Sequence, residues 1–280
     1  MPSRIAFLGP EGTYGEKATA ALIELEGLAD AEPVPCVGLR AVVDQLASGQ
    51  CDAAVVPVEN SVEGGVTATL DALWRHRELT IRRALVLPIR HALLSDGDLN
   101  SITEVLSHPQ ALAQCSGWLA THLPSALQLP TSSTAEAARM VVGSRFRAAI
   151  ASRKAGDERG LNLLKYPIND VAGNCTRFLL LRRGERRLSG DLASLAFSLH
   201  RNAPGALLEV LSCLAQRNLN MSRIESRPSK RELGEYLFFV DVDLAGQSTT
   251  ALPELISDLE PICEHLAHFG AYPSTELISD

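Results

Sequence analysis

Short apolar segments alternate with segments of helical period along the N-terminal two thirds of this chain. Ile5 to Leu8 is short and apolar, Gly9 to Gly15 contains a glycine-rich turn, and Tyr14 to Leu25 has helical spacing. A helix over Leu39 to Ala47 and a buried-type strand over Ala53 to Val58 continue the pattern. Such alternation is typical of an α/β fold.

The rest of this part continues in the same way. We expect a helix over Thr67–Arg77 and strands over Ile81–Pro88, Glu104–Ser107, Leu127–Leu129, Ala148–Ala151 and Arg177–Leu181.

The segment from Arg182 to Gly190 is charged, contains glycine and has no apolar period, so we expect a linker. Its four arginines could indicate nucleic-acid binding, but no aromatic residues are interleaved, which favours a solvated connector. The order expected after it is β-α-β-β-α-β, which is typical of a ferredoxin-like unit. Its elements are expected over Ser194–His200, Pro204–Arg217, Met221–Pro228, Tyr236–Val242 and Leu252–Leu266, before a short last strand.

The overall composition excludes several classes of protein. The 280 residues suffice for two domains, and 46% apolar with 21% charged residues is globular rather than disordered. A net charge of −7 leaves no basic excess for nucleic acid or anionic lipid. The longest apolar runs have five or six residues, whereas a membrane span needs about 20. We therefore expect no nucleic-acid partner and no membrane insertion.

The N-terminus shows no basic-then-apolar leader, which favours a cytoplasmic protein. The six cysteines include no Cys-x-x-Cys pair and have no histidine at zinc-ligand spacing. We expect reduced thiols in the core and no metal site.

Four segments are richer in Gly, Asn, Gln, Ser and Thr than a packed core requires, and each adjoins a strand end. They are Gly9–Tyr14, Pro57–Val66, Ser107–Cys115 and Asn174–Phe178. Open α/β sheets place their ligands in loops outside strand ends, so these segments predict one shared polar site.

Each segment alone has an ordinary explanation. The first lacks the Lys-Ser/Thr of a phosphate loop and the spacing of a dinucleotide fingerprint, so we expect a turn and not a cofactor motif. The free amides of the helix N-terminus there could still hold a carboxylate. Pro109 is expected in the first turn of a helix, which places Gln110 and Gln114 on one face. There they either present two amide groups to a cleft or are surface glutamines.

Glu59 and Asn60 follow a buried-type strand and could simply form a strand-to-helix turn. In the last segment, alternation along a strand places Thr176 and Phe178 on one face and Arg177 on the other. Arg177 then either pairs with a ligand carboxylate or braces its strand, and alternation favours bracing unless the strand bulges.

Together the four segments resemble the signature motifs of the prephenate dehydratase family. Gly-Pro-x-Gly-Thr-Tyr, Pro-x-Glu-Asn-Ser, Ser-His-Pro-Gln-Ala-Leu-Ala-Gln-Cys and Asn-x-Thr-Arg-Phe occur in this order over residues 7 to 178. The C-terminal part resembles an ACT domain, a small-molecule sensor, through Asn202–Leu207 and Glu225–Pro228. No chorismate mutase segment precedes the first motif, so the chain resembles the monofunctional form. One departure is Gly173, where many relatives carry an acidic residue.

The resemblance implies a two-lobed, periplasmic-binding-protein-like α/β catalytic domain over residues 3–183 and an ACT domain over 192–275. One lobe would comprise about 1–77 and 168–182, and the other about 80–165. It also implies decarboxylating dehydration of prephenate to phenylpyruvate, in L-phenylalanine biosynthesis, without a cofactor.

The resemblance also implies functional roles for the residues of this sequence that match the family motifs. Thr176, Glu59 and Asn60 would be catalytic, and Thr13, Ser61, Ser107, Gln114, Arg177 and Phe178 would bind substrate. Thr176 would hydrogen-bond the departing hydroxyl, and Glu59, if burial raises its pKa, is the competing proton source. His108 is the remaining titratable candidate, or else a helix-entry residue.

The ACT resemblance implies regulation by phenylalanine, bound where two such domains meet. The implied effector residues are Asn202, Pro204, Gly205, Ala206, Leu207, Glu225, Ser226, Arg227 and Pro228. Pairing of these modules would make the protein a homodimer or a homotetramer.

Two alternatives stay open on the sequence. One is arogenate dehydratase, the same chemistry with an amino group on the side chain of the substrate. The other is a two-lobed amino-acid-sensing protein without turnover, against which the intact Asn-x-Thr-Arg-Phe stretch and the missing signal peptide count.

Overall fold

The structure is a computed structural model that describes residues 2–232 and 234–277. The first stretch of the chain contains β1 (Arg4–Leu8), α1 (Tyr14–Leu25), β2 (Glu32–Cys36), α2 (Leu39–Ala47), β3 (Ala53–Asn60), β4 (Gly64–Gly65), α3 (Thr67–Arg75) and β5 (Thr80–Pro88). The second contains β6 (Ala92–Ser95), a 3-10 turn (Leu99–Ser101), β7 (Glu104–Ser107), α4 (Pro109–Gln114), α5 (Ser116–His122), β8 (Leu127–Pro130), α6 (Thr134–Val141), β9 (Arg147–Ala151), α7 (Arg153–Asp157) and β10 (Asn162–Lys165). The chain then returns through β11 (Cys175–Arg182).

The C-terminal part contains β12 (Leu192–Leu199), α8 (Ala206–Gln216), β13 (Met221–Pro228), β14 (Tyr236–Asp243), α9 (Ala251–Leu259), β15 (Cys263–Tyr272) and β16 (Ser274–Glu276). The expected fold class is confirmed, since an α/β part with two sheets is followed by a ferredoxin-like β-α-β-β-α-β unit.

The strands that the structure describes form three sheets. The first has the order β16-β5-β11-β3-β1-β2, with β4 paired to β3, and the second has the order β10-β6-β9-β7-β8. The third, with the order β13-β14-β12-β15, is antiparallel throughout. The chain passes from the first sheet to the second after β5 and returns before β11, so two crossings join the two lobes.

The first sheet extends further along the sequence than expected. We expected the second lobe to begin near residue 80, but β5 pairs with β11 from Cys175↔Pro88 to Arg182↔Thr80. Its buried residues, such as Leu85 and Leu87, belong to the core of the first sheet. The crossing therefore lies at about 89–91 instead.

The last helix is shorter than its apolar period indicated. It ends at Leu259, and residues expected to continue it to Leu266 form the start of β15, which pairs with β12. The short last strand, β16, does not join the C-terminal sheet but pairs in parallel with β5 of the first sheet.

The C-terminal sheet packs against the first sheet through one shared core. Leu70 and Leu73 of α3 and Ile81 of β5 belong to the same buried cluster as Phe239 and Phe269 of the C-terminal sheet. The expected linker begins one residue late, because Arg182 is still part of β11, and residues 183–191 contain no helix or strand. This segment is packed rather than fully solvated. A Cβ on Gly190 would lie 2.4 Å from the backbone nitrogen of Tyr272, so only glycine fits there.

Candidate active site

A cleft of about 520 Å³ lies between the two N-terminal sheets, within the size range of small-molecule sites. Its walls include residues from all four polar segments. Of the expected site residues, the cleft is lined by Thr13, Asn60, Gln114, Thr176 and Phe178. The predicted convergence of these segments is therefore present in the structure.

The carboxamide of Asn60 is held in one orientation. Its Oδ1 accepts hydrogen bonds from the backbone nitrogens of Val62 and Glu63, at 2.9 and 3.0 Å. Its Nδ2 consequently points to β11, where it donates to Oδ1 of Asn174 and to Oγ1 of Thr176, both at 2.9 Å. Backbone amides thus fix which groups of this site donate and which accept.

The hydroxyl of Thr176 is positioned as a donor. Its oxygen accepts the bond from Asn60, and its hydrogen has no acceptor among the residues that the structure describes. Thr176 is 9% exposed and lines the cleft, so this hydrogen is available to a bound ligand.

The hydrogen-bond network continues from Asn174 into the second lobe. Asn174 donates through Nδ2 to Oε1 of Gln114 at 2.8 Å, and Nε2 of His91 lies 3.1 Å from the same oxygen. Gln114 is the last residue of α4, so this carboxamide joins a helix of the second lobe to the return crossing.

The N-termini of α1 and α6 both face the cleft. Thr13 caps α1 and Ser133 caps α6, and each side chain accepts a bond from a backbone nitrogen of its helix. Among the described residues that line the cleft there is no lysine or arginine. Helix N-termini attract anions, so they are the groups suited to receive carboxylates here.

Two expected substrate-binding serines have structural contacts instead. Ser107 is fully buried and donates to the backbone oxygen of Ile150 at 2.6 Å, and it does not line the cleft. Ser61 accepts from the backbone nitrogen of Cys175 at 3.0 Å, which fixes the start of β11. Neither side chain lines the cleft in the structure.

Glu59 and Arg177 lie on the opposite face of the sheet from the cleft. Nη2 of Arg177 is 2.9 Å from Oε2 of Glu59 and 2.5 Å from Oδ2 of Asp241. The bracing role is therefore the one the geometry supports for Arg177. The expectation that Glu59 supplies a proton is corrected by this placement, because its carboxylate is turned away from the cleft.

A register shift in β3 accounts for the orientation of Glu59. Phe178 pairs with Pro57, whereas Arg177 pairs with Glu59, so Val58 is an extra residue. Simple alternation from Pro57, which lines the cleft, would have pointed Glu59 inward. The bulge turns it to the back of the sheet and lets Asn60 face the cleft.

His91 and Asn174 complete the site and were not singled out from the sequence. Asn174 lies in the polar segment Asn174–Phe178, and His91 follows the end of β5 by three residues. The sequence signal that could have identified His91 is therefore a polar residue just after a strand end. His108 is the N-cap of α4, accepting from the backbone nitrogen of Gln110 at 3.3 Å, and burial lowers its pKa.

A second, smaller cavity of about 100 Å³ lies in the C-terminal part. It is lined by Asn202, Ala206 and Leu207, and on its other side by Gly234, Tyr236 and Phe238. Pro204 and Gly205 precede α8 and do not line it.

The expected contribution of β13 to that cavity is not present within one chain. Glu225 bonds to Arg223 at 2.7 Å and packs on Gly65, while Nη2 of Arg227 lies 3.8 Å from Oδ1 of Asp71. Ser226 and Pro228 face outward and are exposed. Alternation along β13 thus turns the two charged side chains to the first sheet.

Three further observations concern membrane helices, metal ligands and cysteines in the described residues. No helix among them is long and apolar enough to cross a membrane. No group of three or more His, Cys, Asp or Glu among them could hold a metal ion. The six cysteines are unpaired thiols, three of them buried.

Comparisons with known proteins agree with this geometry. The prephenate dehydratase family model matches residues 5–186, and the ACT domain model matches residues 193–259. A bifunctional chorismate mutase/prephenate dehydratase of Neisseria gonorrhoeae is 39% identical over 99% of this chain and 76% of its own length.

Two solved structures are similar along nearly the whole chain. A prephenate dehydratase from Arthrobacter aurescens in complex with L-Phe has a TM-score of 0.85 and 38% identity, covering 96% of this chain and 90% of its own. A protein described as GqqA, a quorum quenching acylase, has a TM-score of 0.78 and 27% identity, covering 97% and 98%. With its catalytic-family match over residues 5–186 and its ACT match behind it, this chain belongs to the prephenate dehydratase family.

Proposed function

We propose that the chain converts prephenate to phenylpyruvate, water and carbon dioxide in L-phenylalanine biosynthesis. The observation that carries this proposal is the Thr176 hydroxyl, which accepts from Asn60 and keeps its own hydrogen for a ligand in the cleft. In the reaction the bond to the ring carboxylate breaks, its electrons enter the ring, and the bond to the hydroxyl oxygen breaks. A donor at that oxygen stabilises the charge that develops there.

The remaining cleft residues have complementary roles in this proposal. Asn60 fixes the hydroxyl of Thr176, Gln114 provides a neutral amide, and Phe178 provides an apolar wall. The N-termini of α1 and α6 receive the substrate carboxylates. Arg177 and Ser107 hold the strands that carry these groups. As the carbon–oxygen bond breaks, Thr176 passes its proton to the departing oxygen, which leaves as water, and Thr176 then takes up a proton from solvent.

One assay tests the proposed reaction. The purified chain is incubated with prephenate and, separately, with arogenate, and phenylpyruvate and phenylalanine are followed over time. Formation of phenylpyruvate from prephenate is expected. Turnover of arogenate alone would make the chain an arogenate dehydratase, and turnover of neither would favour a sensor or an activity such as that of the acylase relative.

We also propose that L-phenylalanine binds the C-terminal part and regulates turnover. Support comes from the cavity beside Asn202 and Leu207 and from the related Arthrobacter enzyme, which was solved in complex with L-Phe. Calorimetry with L-phenylalanine tests it, and binding that changes the rate of the dehydratase assay is the expected result. A lack of heat at millimolar ligand would contradict the proposal.

The domain boundaries and assembly are proposals as well. We place a catalytic domain at about 3–183 and an ACT domain at about 192–272, with β16 returning to the first sheet. We propose a cytoplasmic homodimer or homotetramer. Strand β13 supports this proposal, because it lies at the edge of its sheet and no described strand pairs with its outer side. Ile224 on this strand is exposed, and such an edge is suited to pair with a second copy. Light scattering of the purified protein measures the assembly.

A further inference from the structure

His91 lies in the first crossing between the two lobes, and its backbone is bonded to the second crossing. Its nitrogen donates to Oδ1 of Asn169 at 2.6 Å, and its oxygen accepts from the nitrogen of Ile168 at 3.0 Å. The ring packs edge-on to Tyr14, with centroids 5.7 Å apart. The imidazole is therefore held between the crossings, and its position is set by both.

The direction of the hydrogen bonds fixes which ring nitrogen carries the proton. Backbone amides orient Asn60, whose Nδ2 donates to Oδ1 of Asn174, so the amide nitrogen of Asn174 donates to Gln114. Oε1 of Gln114 is then an acceptor, and Nε2 of His91, 3.1 Å away, must be its second donor. A neutral ring that is protonated on Nε2 has a bare Nδ1.

That bare nitrogen is buried and has no partner among the described residues. Buried polar atoms without partners are uncommon and costly, so their retention calls for an explanation. His91 is 3% exposed, and burial lowers its pKa to about 4. At neutral pH the ring is therefore uncharged, and among the described residues its side chain forms one hydrogen bond, from Nε2 to Gln114.

We propose that His91 is a positioning residue that acts through Gln114. By occupying Oε1 together with Asn174, it turns the amide nitrogen of Gln114 toward Glu63, which lines the cleft. The contact to Glu63 is long, at 3.4 Å, so a hydrogen of Gln114 is available to substrate. The role in catalysis rests on the proposed dehydratase function.

This assignment explains the unpaired nitrogen. Without the donor at His91, the carboxamide of Gln114 keeps one bond to Asn174 and can rotate away from the cleft. A neutral donor also avoids placing a positive charge beside the amide network, which a lysine or arginine would do. The free-energy cost of the unpaired Nδ1 is offset because the oxygen and nitrogen of the Gln114 carboxamide are held in one orientation.

The first experiment is a double-mutant cycle on His91 and Gln114, read as kcat and KM for prephenate. His91→Leu should lower kcat/KM about 10²-fold, the size expected when a site group is misplaced by about 1 Å. His91→Gln, whose amide nitrogen reaches the Nε2 position, should restore most of it. In the Gln114→Ala background, His91→Leu should cost less than about threefold. Equal, additive losses in both backgrounds would overturn the proposal, because a purely structural role does not depend on Gln114.

The second experiment needs no substrate. In protein labelled with ¹⁵N-histidine, His91 should show a proton on Nε2 and none on Nδ1 from pH 8 to pH 5. Gln114→Ala should shift the Nε2 resonance and leave that of His200 unchanged. A proton on Nδ1 would overturn the proposal. Absence of turnover in the parent protein with this tautomer present would refute the dehydratase function and leave the hydrogen-bond assignment standing.

Discussion

Nη2 of Arg177 lies 2.5 Å from Oδ2 of Asp241, which joins a central strand of the cleft-bearing sheet to a central strand of the C-terminal sheet. Asp241 is 3% exposed and also accepts from Oγ of Ser194. Thr176, the next residue along β11, faces the cleft on the opposite side. The two faces of one strand thus carry the hydroxyl that faces the cleft and the contact with the C-terminal sheet.

Arg177→Met should destabilise the protein, since it removes the cation nearest to the buried carboxylate of Asp241. Among the described residues this leaves Arg223, 3.7 Å from the same oxygen, as the remaining cation. The expected loss in the free energy of unfolding is about 3 kcal/mol, the lower end of the range for breaking a buried ion pair, measured by chemical denaturation. Arg40→Met is the control, since the side chain of Arg40 is 77% exposed and its pair with Asp44 lies at the surface. A double variant, Arg177→Met with Asp241→Leu, should recover part of the loss. Equal stability of Arg177→Met and the parent would contradict the importance of this pair.

Thr176→Val should lower kcat for prephenate by about 10²–10³-fold, the usual loss on removing one donor to a developing charge. Thr176→Ser keeps the hydroxyl and should keep most of the rate. Thr121→Val, which removes an exposed hydroxyl on α5, serves as the control. A Thr176→Val variant as fast as the parent would mean that the departing hydroxyl is assisted by another group.

Buried His91 should make the protein less stable in mild acid. Its pKa falls from 6.5 to about 4 on folding because of burial, so the unfolded chain takes up a proton first. The stability linked to this group is complete above pH 6.5 and is lost as the pH falls toward 4, by roughly 2 kcal/mol at pH 5. His91→Gln should lose less stability between pH 7 and pH 5 than the parent, as measured by denaturation. The same pH dependence in both proteins would contradict the assignment, and exposed His200→Gln is the control.

Asn202→Ala should weaken binding of L-phenylalanine at the C-terminal cavity. The Nδ2 of Asn202 donates to the backbone oxygen of Gly234 at 2.9 Å, which ties the two walls of the cavity together. We expect an affinity at least about tenfold lower by calorimetry, equivalent to about 1.4 kcal/mol. Ser212→Ala, on the exposed part of α8, should bind like the parent. Unchanged affinity in Asn202→Ala would place the effector elsewhere, for instance between two copies of the chain.

The α/β order and the meeting of the four polar segments could be predicted from the sequence because both follow from local rules. Apolar period and glycine turns predicted α2 and β7 at their observed bounds, and polar residues after strand ends predicted the cleft. Alternation also separated Thr176 from Arg177 correctly.

Other features depend on pairing between distant segments and had no local signal. β2 contains Pro33 and Pro35 and was not expected as a strand, but it lies at the edge of its sheet, where proline is tolerated. The bulge at Val58 turns the side chain of Glu59 to the back of the sheet. Strand β15 begins with residues whose apolar spacing also fitted a helix. The position of His91 in the site could not be predicted, because it depends on hydrogen bonds to Asn169 and Gln114, which are distant in sequence.

The return of β16 to the first sheet means that the C-terminal sheet is tethered at both of its ends. Linker residue Arg186 bonds to the backbone oxygen of Arg77 on one side, and Thr275 pairs with Leu85 on the other. Because it is attached at both ends, the C-terminal sheet cannot rotate away from the first sheet about one flexible hinge. If L-phenylalanine in the C-terminal cavity changes turnover, as proposed, we therefore expect the change to pass as a small twist or slide across the shared core, where Arg177 and Asp241 meet.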